Sequence, residues 1–296
     1  MARLPDFVII GSMKCGTSSL FEQLALRSGL FMSEPKEPNF FSDDANYARG
    51  LGSYTALFAG ARPDQLCGEG STHYTKLPTF PATIDRLKRH LERPKLIYMM
   101  RDPVERIASQ YIHEWTQKEV RGSFEKAVRQ HERYVAYSSY ARQLEPYLRA
   151  FGPESVLPVF LERVKRSPTE EFARVCSFIG DPTPAEPVWC EDLGPQNVSR
   201  DRLRQSGFRE AVLSLPGARR AKDLLPERVK QRIKASWQIS GRPTLPAQLA
   251  AEVTARLDAD LARLGSWLGR ELTCRGWREQ VKNEQAAWTA DAPARG

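Results

Sequence analysis

Histidine and cysteine are both scarce in this chain, with four of the first and five of the second among 296 residues. The cysteines (Cys15, Cys67, Cys176, Cys190 and Cys274) are odd in number and scattered, with no Cys-x-x-Cys pair. Neither a disulfide framework nor a zinc site is expected, and no metal is assigned. Long apolar runs are missing too. The first run, Phe7–Ile10, has four residues, whereas a secretory core takes about seven to fifteen and a membrane span about twenty. The expectation is a reduced, cytoplasmic protein without a leader or a span. Acidic charge is in deficit, with 36 Asp and Glu against 44 Lys and Arg, a net charge of +8. That balance favours an anionic ligand. No recognisable nucleic-acid module accompanies it, so nucleic acid is not an expected partner. At 41% hydrophobic and 27% charged residues, wholesale disorder is excluded. A chain of this length buries about three quarters of its unfolded surface in one core.

The most informative stretch is Pro5–Leu20, PDFVIIGSMKCGTSSL. Phe7 to Ile10 reads as a short buried strand stopped by Gly11. Lys14, Gly16 and Thr17-Ser18-Ser19 follow, and Leu20, Phe21 and Leu24 start a helical apolar stripe. A strand, a glycine loop and a helix N-terminus together hold phosphate in α/β proteins. Backbone amides point into the turn, and the helix adds about half a positive charge there. The expected fold is α/β: a single domain with a central, mostly parallel sheet flanked by helices, in a P-loop-like nucleotide-binding architecture. Gly11-x4-Gly16 has the glycine spacing of a triphosphate loop, but Thr17 stands where that loop carries lysine. The only lysine, Lys14, precedes the second glycine. The pattern is also not G-x-G-x-x-G, which disfavours a dinucleotide fold.

A second anchor follows at Leu96–Met100, another buried-strand pattern, which runs into Arg101-Asp102-Pro103. Proline suits the first turn of a helix and aspartate its cap. The helix repeats apolar residues through Val104, Ile107, Ala108, Tyr111 and Ile112. Arg101 then lies at a strand's carboxyl end and Ser109 about two turns along the helix, a fork and a hydroxyl suited to a phosphate monoester.

Two further segments offer proton-transfer groups. In Gly29–Asp44, Pro35 and Pro38 forbid a regular helix and place Glu37 on a stiff loop before Phe40-Phe41. Desolvation by those neighbours would make its carboxylate a better general base. Cys67–Lys76, CGEGSTHYTK, reads as a loop at a strand end, and His73 there is the alternative base. Tyr47–Ala59 carries spaced aromatics and reads as a short helix or lid.

Together, KCGTSSL and RDPVERIASQY resemble the 5′-phosphosulfate loop and the 3′-phosphate segment of sulfotransferases that use 3′-phosphoadenosine 5′-phosphosulfate (PAPS). Lys36-Glu37-Pro38-Asn39-Phe40-Phe41 and Glu69–Tyr74 resemble the branch containing heparan sulfate sulfotransferases and their bacterial relatives. The resemblance implies a sulfotransferase domain over 1–280, with its cofactor loop at 8–20 and 3′-phosphate segment at 96–112. It implies cofactor contacts from Lys14, Cys15, Gly16, Thr17, Ser18, Ser19, Arg101 and Ser109. Lys14 also has a catalytic role, with Glu37 or His73 as base. The partners implied are PAPS and a hydroxyl-bearing acceptor, and the product is adenosine 3′,5′-bisphosphate. Several members carry lysine where this chain has Gly70, so one catalytic cation is missing.

Tyr140–Phe151 reads as an amphipathic helix, Ser155–Leu161 as a strand ending at Glu162, and Ser167–Ile179 as a helix closed by Gly180. Asn197–Arg200 is a candidate lid. The chain is then helical and basic from 200 to 280, with helices expected at Leu203–Ile233 and Pro246–Leu264. Residues 281–296 read as a flexible tail. A P-loop kinase or hydrolase, and a non-catalytic anion-binding protein, are the rival readings.

Overall fold

A computed structural model describes residues 3–193 and 242–296. The candidate lid at Asn197–Arg200 and the expected helices of Leu203–Ile233 lie outside the described residues.

The apolar runs become β1 (Phe7–Gly11), β4 (Lys95–Met100) and β5 (Val156–Phe160), joined by β2 (Leu30–Met32) and β3 (Leu66–Gly70). All pairings are parallel, and the sheet order is β2-β3-β1-β4-β5. A parallel sheet is covered on both faces, so its strands are apolar throughout instead of alternating. Phe7 and Ile9 pack with Ile97 and Met99 on one face. Val8 and Ile10 pack with Leu96, Tyr98 and Met100 on the other.

In the first half the helices are α1 (Thr17–Ala25), α2 (Asp44–Ala48), α3 (Leu51–Thr55), α4 (Thr83–His90) and α5 (Pro103–Thr116). There follow α6 (Phe124–Gln130), α7 (Arg133–Ala136), α8 (Tyr140–Phe151), α9 (Leu161–Arg166), α10 (Pro168–Ile179), α11 (Ala247–Leu268) and α12 (Trp277–Val281). Helices α1 and α10 cover one face of the sheet, and α4, α8, α11 and α12 the other. A third cluster joins α5, α6 and α7 to the start of α11. The apolar stripe of that last long helix, Leu249, Val253, Leu257 and Leu261, is buried as its spacing predicts.

The strand order positions the site. After β1 the chain leaves towards β2, and after β4 it leaves the opposite way towards β5. Connections that diverge from neighbouring strands open a crevice at their carboxyl ends, where α/β proteins bind ligands. The loops after β1 and β4 both end there.

Three expectations change. Cys67–Gly70, read as loop, is strand β3. Its glycines hide the strand signal, and Gly68 has a packing reason, since a Cβ there would lie 2.1 Å from the Phe7 ring. Of the two readings of Tyr47–Ala59, the short helix holds (α3) and the lid does not: Tyr54 and Phe58 are wholly buried, and Tyr54 stacks on Phe40 with ring centroids 4.6 Å apart. Residues 281–296 are no frayed tail. Val281, Ala286 and Ala292 are buried. Trp288 Nε1 donates to Val156 O of the edge strand β5 at 2.6 Å, and Thr289 N donates to Trp267 O at 2.8 Å.

Candidate active site

The loop after β1 is pinned from several sides. Ser12 N donates to Met99 O of β4 at 2.8 Å, and Cys15 N closes a turn onto Ser12 O at 3.1 Å. Lys14 and Gly16 both take positive φ, 69° and 91°. Gly16 is required twice over, because a Cβ would also meet Leu161 Cδ1 at 2.8 Å. Arg106, fully buried, donates to Met13 O (3.4 Å), Tyr134 O (3.1 Å) and Ser138 Oγ (2.6 Å), so it braces the loop from beneath. Helix α1 begins at Thr17 with no side-chain cap. First-turn amides have no acceptor within their own helix, which makes such an end an anion site.

Arg101 stands at the carboxyl end of β4 beside this loop, and its Nη1 donates to Lys14 O at 3.3 Å. It also pairs with Glu105 one turn along α5. Asp102 caps that helix, accepting from Glu105 N at 3.0 Å, with Pro103 in the first turn as expected. Among the described residues, Arg101 Nε is buried without a partner. Lys14, Gly16, Thr17, Ser18, Ser19, Arg101 and Ser109 line one cleft of about 1470 Å³. Cys15 does not. Its thiol is fully buried, 3.8 Å from Tyr140 Oη, and burial raises its pKa, so the thiol does not face the cleft.

Sequence reading missed several cations at this end of the cleft: Lys165 and Arg166 of α9, Arg242, and Arg278 and Lys282 near the C-terminus. Glu105 gathers three guanidinium groups, those of Arg101, Arg242 and Arg278. Burial and the nearby Arg101 lower the pKa of Lys165. A basic composition in the second half is the only advance signal, and it does not separate cleft-lining cations from those that merely solvate helices.

Glu37, His73 and Lys76 line the same cleft. Glu37 N donates to Gly70 O at 3.1 Å, which fixes its loop against β3. Its carboxylate pairs with Lys36 at 3.4 Å and accepts from Thr72 Oγ1 at 3.2 Å. Lys36 in turn donates to Ser18 Oγ at 2.7 Å, so acceptor loop and phosphate loop are tied together. The expected desolvation by aromatics does not occur. Phe40 and Phe41 turn into the core, and the Glu37 side chain stays 32% exposed. His73 stacks on Phe80, with ring centroids 4.8 Å apart. Burial and the Lys76 charge push its pKa down to about 4 against the pull of Glu37, so the imidazole is neutral at pH 7.

Glu69 is wholly buried and accepts from Tyr54 and Tyr74 (2.7 Å each) and Ser71 (2.6 Å). It serves the core and not the cleft. Gly70 likewise faces inward, where a Cβ would meet the Phe21 ring at 3.2 Å. Among the described residues, no group of three or more His, Cys, Asp or Glu is arranged to hold a metal ion.

A family model described as a sulfotransferase domain matches residues 4–197. Heparan sulfate glucosamine 3-O-sulfotransferase 3B1 of Mus musculus is 31% identical over 187 residues, covering 60% of this chain and 46% of that protein. Heparan sulfate glucosamine 3-O-sulfotransferase 5 of the same species is 29% identical over 192 residues, covering 61% and 54%. The chain therefore spans about half the length of these relatives. Among solved structures, a sulfotransferase from Alicyclobacillus acidocaldarius is 26% identical with a TM-score of 0.63, covering 91% of this chain and 98% of that one.

Proposed function

The chain belongs to the sulfotransferase family, and from that membership and the cleft's donor set we propose that it transfers a sulfuryl group from PAPS to an acceptor hydroxyl. The observation that carries this reading is the meeting of two anion-binding elements in one cleft, with Arg101 Nη1 hydrogen-bonded to the Lys14 carbonyl. The residues present fit a cofactor with a phosphate at each end. Arg101 keeps a buried Nε that has no partner among the described residues and can meet an acceptor oxygen, and the hydroxyl-rich start of α1 carries no side-chain cap.

Lys14, Gly16, Thr17, Ser18 and Ser19 hold the 5′ end by charge, main-chain amides and hydroxyls. Arg101 and Ser109 hold the 3′-phosphate and so select PAPS over ATP. When bound, PAPS supplies the activated sulfuryl group and leaves as adenosine 3′,5′-bisphosphate. Glu37 accepts the proton that the acceptor hydroxyl releases as it attacks in line. Lys14 stabilises the negative charge that builds on the departing phosphate oxygen. His73, neutral and stacked, orients the acceptor and is the alternative base. As in phosphoryl transfer, the protein supplies position and electrostatics more than covalent chemistry. A cytoplasmic setting belongs to the same proposal, since all five cysteines are free thiols, which suits a reducing compartment.

Labelled PAPS offered with a panel of hydroxyl acceptors tests the proposal. The expected result is label transfer, together with calorimetric binding of adenosine 3′,5′-bisphosphate in preference to ATP with magnesium. Tight magnesium-dependent ATP binding without PAPS consumption would overturn it in favour of a nucleotide kinase or hydrolase.

A further inference from the structure

Lys76 was assigned no role from sequence, yet it lines the cleft directly after the 3₁₀ turn Thr72–Thr75 that carries His73. Its backbone is fixed, with Lys76 N donating to His73 O at 3.2 Å. The side chain is half-buried, and among the described residues its ammonium makes no hydrogen bond or ion pair. Three carboxylates influence it without reaching it: Glu37, Glu114 and Glu119. Two of these already have partners. Glu37 is held by Lys36 and Thr72, and Glu114 by Arg133 (2.8 Å), Tyr134 and Gln110. A half-buried ammonium with no direct hydrogen bond or ion pair is only partly compensated, and an anion entering the cleft completes its pairing.

The charge pattern limits what that anion is. Cations crowd the Arg101 end of the cleft; the carboxylates that act on Lys76 are Glu37, Glu114 and Glu119, the first two paired with Lys36 and Arg133, and the apolar lining of the cleft includes Phe80, Ile112 and Tyr137. A polyanionic chain would bring more negative charges than Lys76 can pair, beside Glu37, Glu114 and Glu119, which is unfavourable for binding. A single negative charge on a small, partly apolar molecule matches both the ammonium and that lining. We propose that Lys76 determines acceptor specificity, and that the acceptor is a small hydroxyl compound carrying one anionic group, such as a carboxylate, near the hydroxyl that reacts. This rests on the sulfotransferase reading and narrows it to an acceptor class.

The test pairs each hydroxy-carboxylate in an acceptor panel with its neutral amide, and adds a heparan sulfate oligosaccharide as the polyanion. Wild-type protein is expected to favour the carboxylate member. In Lys76→Met that preference falls at least about tenfold in kcat/KM, as loss of a partly desolvated charge partner implies, and Lys76→Arg retains most of it. Binding of adenosine 3′,5′-bisphosphate stays unchanged in both variants, which also reports that they fold. Burial brings the Lys76 pKa down to about 8, with Glu37, Glu114 and Glu119 opposing the shift and Arg106 adding to it. His73, the remaining facing group, is already neutral above about pH 5. KM for the carboxylate therefore rises as pH passes 8, while KM for the amide does not. Equal use of the paired acceptors, an undiminished preference in Lys76→Met, or best turnover on the oligosaccharide overturns the proposal. So does the absence of turnover on every pair while adenosine 3′,5′-bisphosphate still binds. Failure of both binding and PAPS consumption instead overturns the sulfotransferase reading beneath it.

Discussion

Lys14 projects from a backbone that Arg106, Met99 and Leu161 hold in place, so its charge is delivered to a fixed point. Removing one such preorganised donor costs about 3 kcal/mol at the transition state, so Lys14→Ala should lower kcat about a hundredfold or more. Steady-state kinetics with labelled PAPS checks this, and near-normal turnover would remove Lys14 from the mechanism. Glu37→Gln should lower kcat on the scale of a lost general base, about 10² to 10⁴, with His73→Ala doing less. A reversal of that order would move the base to His73. The histidine also leaves a mark on stability. Its native pKa of about 4 lies below the ordinary 6.5, so between those values the unfolded chain binds more protons and stability falls as pH drops. In His73→Gln the urea midpoint should decline less from pH 6.5 to 4 than in the wild type.

Among the elements, the two that build the cleft were legible because each carries a local signal with one physical cause. Asp102-Pro103 announces a capped helix start, and the Asp102 side chain does cap α5. Asp102→Ala should cost about 1 kcal/mol in urea unfolding, and it should weaken binding of adenosine 3′,5′-bisphosphate, because Arg101 is adjacent. Strand β3 was hidden because its glycines answer to tertiary neighbours: Gly68 makes room for Phe7, and Gly70 faces Phe21. Glu37 was found by residue type and motif, but its surroundings were misjudged. The chain turns at φ 57° and sends the following aromatics into the core. No local rule states which way a proline-flanked loop turns its side chains.

Over the whole molecule, the C-terminal segment is part of the structure and not an appendage. Trp288, Ala286 and Ala292 cover the β5 side of the sheet, and Arg278 and Lys282 reach the cleft. Deleting residues 285–296 should destabilise the protein on the order of 3 kcal/mol, judged from the loss of a packed tryptophan and its neighbours. Urea unfolding of the shortened chain reads this directly, and an unchanged midpoint would mean the segment carries no stability. The sequence by itself determined the α/β class, the phosphate loop and the Arg101–Ser109 helix, because runs of apolar residues, caps and glycine turns act over a few residues. The tertiary structure alone decided that Cys15 turns inward, that Lys76 stands in the cleft without a hydrogen bond or ion pair among the described residues, and that cations from the C-terminus join Arg101. Those outcomes depend on which distant segments the strand order brings together at the carboxyl ends of β1 and β4, and sequence spacing does not encode that.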